Sequence, residues 1–106
     1  MTEFSGNRMD GKICVVTGAT QGLGAAIARR LAAAGAKGIV ITGRNVERGT
    51  HVAREIAEAH GIWAHFLQAD FARVEDCRMV IAETDRLFGR IDVLVNAGAS
   101  TARGTI

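Results

Sequence analysis

Apolar residues in this chain fall into short unbroken runs that alternate with stretches repeating every three or four positions. Lys12-Ile13-Cys14-Val15-Val16-Thr17, Gly38-Ile39-Val40-Ile41-Thr42 and Ile91-Asp92-Val93-Leu94-Val95 are runs of the first kind. Runs of this length beside glycine predict strands, buried on both faces where apolar residues are continuous. Ile62 to Asp70 is interrupted by Trp63, His65 and Gln68, a mixture that an edge strand tolerates. Between the runs the period changes. Leu23, Ile27 and Leu31 fall four apart among alanines and stop at Gly35; Val52, Ala53, Ile56 and Ala57 share one face of Val46–His60, which stops at Gly61; Val74, Cys77, Ile81, Thr84 and Phe88 step by three and four. These spacings predict three helices. Strict alternation of strand and helix predicts an α/β fold, a parallel sheet with helices on both faces, because right-handed crossovers return each helix onto the sheet.

Composition narrows the function. Of 106 residues 48% are apolar, and the formal net charge is +2 with both signs interspersed, so one ordinary core is affordable and no basic run marks a nucleic-acid or membrane-surface partner. No stretch approaches the roughly 20 apolar residues of a membrane span, and the opening residues lack an apolar signal core. A cytoplasmic protein acting on a small molecule is expected, with residues 1–9 as a flexible leader and residues 10–106 as one domain. Cys14 and Cys77 lack C-x-x-C spacing and are expected as buried reduced thiols. His51, His60 and His65 form no ligand pair on one helix face, so no metal site is expected, and Trp63 reads as a packing residue. Ser100 and Thr101 have no nearby general base in sequence.

The sharpest motif is Thr17-Gly18-Ala19-Thr20-Gln21-Gly22-Leu23-Gly24, between the first strand and the first helix. Glycines there permit a tight turn, let backbone approach a pyrophosphate and let helix pack closely on strand. The helix start adds free N–H groups and a positive dipole end. The spacing, G-x-x-x-G-x-G, differs from the commonest dinucleotide fingerprint. With its leading threonine it resembles the glycine motif of the short-chain dehydrogenase/reductase family, and the resemblance runs from about Asp10 to the end of the chain. It implies a Rossmann-type NAD(P)-binding domain, of which this chain is the N-terminal part. The implied contacts to the cofactor phosphates are Gly18, Thr20, Gln21, Gly22, Leu23 and Gly24.

Past the second strand, where a carboxylate would bind the ribose hydroxyls of NAD, the chain reads Thr42-Gly43-Arg44-Asn45. Arg44 can form charge-assisted bonds to a phosphate, which favours NADP(H) over NAD(H), although NAD remains possible. The other reading of Arg44 is a solvated charge at a helix start. Asn45 is placed beside it in the site, and Arg48, one turn on, can assist. The resembled family often carries a further basic residue before the second loop glycine, where this chain has Gln21.

The resemblance also implies that Asp70 accepts a hydrogen bond from the adenine amino group and that Phe71 lies beside the ring. Read without it, Asp70 or Arg73 would cap the next helix. The family ends its fourth strand in N-N-A-G, supporting the sheet and lining the cofactor ribose; here Asn96-Ala97-Gly98-Ala99 has one asparagine. Either one residue is missing, or Asn96 matches the first asparagine and the glycine is displaced by one. Asn96, Ala97 and Gly98 are the residues carried over.

Hydride transfer to or from a carbonyl also needs a proton donor or acceptor. The family supplies it from a tyrosine in Y-x-x-x-K, and this chain has no tyrosine. No catalytic residue is therefore assigned within it, and the chain alone is expected to be inactive. The family strand order is third, second, first, fourth and then later strands, so a sheet of four strands is incomplete and leaves an apolar edge open to pairing. A native polypeptide of about twice this length or more is expected. The leading expectation is an NADP(H)-dependent oxidoreductase acting on a carbonyl or alcohol and assembling, at full length, as a homo-oligomer, a tetramer or dimer. The alternative is a non-catalytic NAD(P)-binding sensor or interaction module. A nucleoside-binding domain with the same fold is a third reading, disfavoured by the loop spacing and Asn96-Ala97-Gly98.

Overall fold

The computed structural model describes residues 9–97. The proposed leader, apart from Met9, and Gly98 lie outside the described residues. The element order is β1 (Ile13–Thr17), α1 (Gly22–Ala33), β2 (Gly38–Gly43), α2 (Val46–His60), β3 (Trp63–Gln68), α3 (Val74–Phe88) and β4 (Val93–Asn96). All strand pairs are parallel and the order is β3-β2-β1-β4, which is the expected Rossmann-type sheet of four strands with three helices.

The two central strands are buried along their whole length. Because successive side chains alternate between faces, Cys14, Val16, Ile39 and Ile41 join α1 and α2 in one core, whereas Val15 and Val40 join Val80 of α3 in another. Helices thus cover both faces. β3 is an edge strand, as its mixed composition predicts, and Trp63 is 64% exposed there. Its ring stacks on His65, which meets Phe88 edge-on, so the expected packing role is confined to one face of the indole. At the other edge, Leu94 is 52% exposed.

The helical faces differ in detail from the apolar periodicity. In α1 the buried residues are Gly24, Ala25, Ala28 and Ala32, while Ile27 and Leu31 flank the core and Leu23 is 71% exposed. Small residues bring the helix backbone close to the sheet, and the larger aliphatics fill its margins. In α3, Val80 and Thr84 are buried and Ile81 is exposed; the Thr84 hydroxyl is satisfied by the Val80 carbonyl at 2.7 Å. α2 buries Val52, Ala53 and Ile56 as its pattern predicts and stops at Gly61 in the left-handed conformation, φ 65°.

β4 starts two residues later than the apolar run. Asp92 N–H donates to the Ile13 carbonyl at 2.8 Å, and the Asp92 carboxylate accepts the Ile13 N–H at 2.8 Å, so a side chain replaces the first rung of the ladder. Arg90 grips the same carboxylate through Nε and Nη2. Both cysteines are free. Cys14 is buried, and desolvation, with the Asp92 charge as a smaller cause, pushes its thiol up to about 11. Cys77 is only half-buried, contrary to expectation, because it sits on the first turn of α3, where its thiol reaches the Phe71 carbonyl.

Two outcomes follow. Ile56→Ala should cost about 2–5 kcal/mol in urea denaturation, the range for truncating a fully buried aliphatic; a loss below about 1 kcal/mol would contradict the packing of α2. Asp92 is held below the ordinary carboxylate range, first by the Arg90 hydrogen bond and then by the Ile13 N–H. A carboxyl depressed in the folded state stabilises above its unfolded value of about 3.9 and loses that contribution as pH falls through the folded value. The melting temperature of Asp92→Asn should therefore lie below wild type at pH 7 and converge on it as pH falls below the ordinary carboxylate range. A constant gap would exclude ionisation as the cause.

Candidate cofactor site

Strand register brings the sequence-selected residues to one edge. Thr17 pairs with Thr42 on one side and Asn96 on the other, and Gly43 pairs with Gln68, so the four strands end together. Segments leaving these ends carry Gly18–Gly24, Arg44–Asn45, Asp70–Phe71 and Ala97. In open parallel sheets this carboxyl edge is where ligands bind.

The glycine loop is locked onto β2. Ala19 N–H donates to the Thr42 carbonyl at 2.9 Å, and Gly43 lies under Thr20, where a Cβ would overlap the threonine methyl. Each glycine of the motif answers a different demand. Gly18 and Gly22 hold positive φ, 68° and 60°, where other residues are strained. A Cβ on Gly22 would meet no atom of the described residues within 4 Å, so among them the space in front of it is open. Gly24 is fixed by packing instead: a Cβ would strike the Gly18 carbonyl and come within 2.9 Å of Ala19 Cα.

α1 begins with no carboxylate in its first turn and no side-chain cap. Its first N–H groups, those of Gly22, Leu23 and Gly24, have no backbone acceptor within the helix, and the dipole adds partial positive charge there. The N-cap residue Gln21 directs its side chain elsewhere, its Oε1 accepting from Nη1 of Arg48. No hydrogen bond ties the Thr20 hydroxyl to another described residue.

At the end of β2, Arg44 is exposed, its carbonyl accepts from Gln68 Nε2 at 3.3 Å, and its guanidinium has no ion pair among the described residues. Asn45 caps α2, its Oδ1 accepting the Arg48 N–H at 2.9 Å, so this oxygen has a structural task and the amide nitrogen is the group left for a ligand. Beyond β3, Ala69 N–H donates to the Gly43 carbonyl at 2.9 Å. Asp70 does not cap α3; the N-cap is Arg73, without a side-chain bond. The Asp70 carboxylate accepts the Ala72 N–H at 3.0 Å, and its own N–H is taken by Asp76 at 2.7 Å. Phe71 packs at the margin of the α3-side core.

Asn96 is the last residue of β4, and Thr17 Oγ1 donates to its Oδ1 at 2.6 Å. This bond fixes the amide and leaves its NH2 free to donate. Ala97 packs against the α1-side core. Sequence reasoning missed Gly43 and the Gln21–Arg48 bond. A glycine ending an apolar strand is a signal of close backbone approach and was available for Gly43; the bond joins residues 27 positions apart and has no signal in the sequence. Two surface depressions of about 450 and 460 Å³ lie elsewhere, lined by residues such as Arg29, Ile56 and His60 or Gly35, Lys37 and Trp63, and neither includes a residue of the glycine loop Gly18–Gly24. The carboxyl edge is singled out by its chemistry.

Comparison with known proteins agrees with this architecture. A family model described as short chain dehydrogenase matches residues 12–106. The chain is 39% identical over 94 residues to a 3-oxoacyl-(acyl-carrier-protein) reductase of Aquifex aeolicus, covering 89% of this chain and 38% of that protein. It is 40% identical over 104 residues to a 3beta-hydroxysteroid dehydrogenase of Mediterraneibacter gnavus, covering 97% and 37% respectively. Among solved structures, L-sorbose reductase from Gluconobacter frateurii, complexed with NADPH and L-sorbose, superposes with a TM-score of 0.85 at 34% identity, covering 95% of this chain and 38% of that one. The chain thus spans well under half the length of these relatives. With the family match running from β1 through β4 and the same parallel sheet in the solved relative, the chain belongs to the short-chain dehydrogenase family.

Proposed function

We propose that this chain holds the cofactor of an NADP(H)-dependent oxidoreductase that exchanges a hydride between the nicotinamide and a carbonyl or alcohol. The observation that carries the reading is the open front of Gly22, at the start of a helix whose first N–H groups lack internal acceptors and whose first turn has no carboxylate. Those features fit a pyrophosphate, because backbone donors and the helix dipole both favour an anion there.

Residues along the edge divide the cofactor between them. The loop backbone at Gly18, Gln21, Gly22, Leu23 and Gly24 takes the phosphates, the Gln21 side chain being held by Arg48, and the Thr20 hydroxyl is free to donate. Arg44 meets the phosphate that distinguishes NADP from NAD, and Asn45 offers its amide nitrogen beside it. Asp70 and Phe71 receive the adenine. The oriented NH2 of Asn96, with Ala97 beside it, is assigned to the path towards the nicotinamide, and Gly98 is assigned there from the family motif alone. The bound cofactor supplies or accepts the hydride; no residue of this chain is assigned the accompanying proton transfer. Relatives named as reductases and dehydrogenases, and one solved with NADPH, support the class.

Gly22→Val and Gly24→Ala separate ligand approach from folding. Gly22→Val should leave a folded protein, strained by about 1–2 kcal/mol at its positive φ, that has lost most affinity for NADPH in fluorescence titration. Gly24→Ala should lower the melting temperature even without cofactor, because the loop must move off the helix. A folded Gly22→Val with unchanged affinity would remove the loop from the site. Arg44→Ala should weaken NADPH binding about tenfold or more and NADH little, as expected for one charge-assisted bond to phosphate. Equal losses for both cofactors would refute the phosphate assignment.

A further inference from the structure

The glycine loop from Thr17 to Gly24 contains no charged residue, and its longest polar side chain, Gln21, caps nothing. That side chain accepts from Arg48 Nη1 across the gap between the loop and the first turn of α2. Arg48 has no ion pair among the described residues; the ion pairs on α2 join Glu55 to Arg29 and His51. A cation in the first turn gains nothing from the helix dipole, which is positive there. The Asn45 cap holds the Arg48 backbone, and the loop, fixed by Ala19 N–H on Thr42 and by Thr20 over Gly43, presents Gln21 on the side of α2. Both ends of the bridge are therefore anchored by backbone contacts.

We infer that Gln21 is a positioning residue for cofactor selectivity: its amide carbonyl draws the Arg48 guanidinium back to the loop, where Arg48 and Arg44 flank the end of β2 and hold one phosphomonoester between them. The inference rests on the NADP(H) reading above. A neutral amide suits the task. It engages one of the five guanidinium N–H donors, leaves the others for phosphate oxygens and does not cancel the charge. A carboxylate at the same place would hold the guanidinium equally well and repel the ligand.

The test uses the whole protein as its cells make it and two small probes, adenosine 2′,5′-diphosphate and 5′-AMP, which differ by the phosphate in question. Calorimetric titration of Gln21→Leu should show a loss of roughly three- to tenfold for the diphosphate, the scale of one hydrogen bond to a charged group, and none for 5′-AMP. The loss should vanish in an Arg48→Leu background, and Gln21→Glu should lose more than Gln21→Leu. Equal losses for both probes, or the same loss with and without Arg48, would overturn the positioning role. The underlying reading is scored separately by wild type and Arg44→Leu. A wild type that does not prefer the diphosphate removes the NADP(H) assignment, whereas an Arg44-dependent preference indifferent to Gln21 overturns this inference alone.

Discussion

Two backbone hydrogen bonds, Ala19 N–H to the Thr42 carbonyl and Ala69 N–H to the Gly43 carbonyl, tie together the segments that leave β1, β2 and β3. Loops after parallel strands otherwise diverge, since each must turn into a helix on one face or the other. Here the first loop stays bonded to β2 as far as Ala19 before turning into α1 at Gly22. Glycine makes that possible twice, at Gly43, where Thr20 needs the space of a side chain, and at Gly24, where the Gly18 carbonyl does. The candidate site is therefore an extension of the sheet's own hydrogen bonding, and its backbone donors are as fixed as the strands.

Charge along this edge is not uniform. Around α1 and the end of β2 lie helix N–H groups, Arg44 and Arg48, with no carboxylate in the first turn of α1 and Glu47 alone in that of α2. Beyond β3, up to the first turn of α3, carboxylates outnumber the single cation Arg73: the Asp76 carboxylate accepts the Asp70 backbone N–H, and Glu75 stands beside it. Such an edge suits an elongated ligand with anionic groups over the first two strands and a hydrogen-bond donor over the third. The gradient is set by which residues follow which strand, and the burial of β1 and β2 keeps it in register.

Much of this was legible in the sequence because the central strands are continuous apolar runs and three glycines fall in one strand-to-helix turn. The β3 edge could be read from Trp63, His65 and Gln68 alone. Helix faces were less legible. Apolar periodicity gave weight to Leu23 and Ile81, but close helix–sheet approach favours small residues, so Ala25, Ala28 and Ala32 occupy the inner face of α1 and Leu23 faces solvent. The start of β4 depended on Asp92 supplying an acceptor for a backbone donor 79 positions away, and Gln21 with Arg48 is likewise a pairing across the fold. Contacts of that kind are created by topology and carry no local pattern.

The two cysteines, unremarked by the site, give the fold a gauge of its own integrity. Cys14 sits at the centre of the sheet with no accessible surface and a thiol pushed up to about 11, so at neutral pH it is both shielded and protonated. A thiolate is the reactive species, which means that Cys14 can be alkylated only from states in which β1 has left its neighbours. Cys77, half-buried on α3, is reachable by much smaller openings. The same molecule thus carries one thiol that counts rare, sheet-breaking excursions and another that counts local fraying, and the ratio of their labelling rates measures how cooperatively the sheet comes apart.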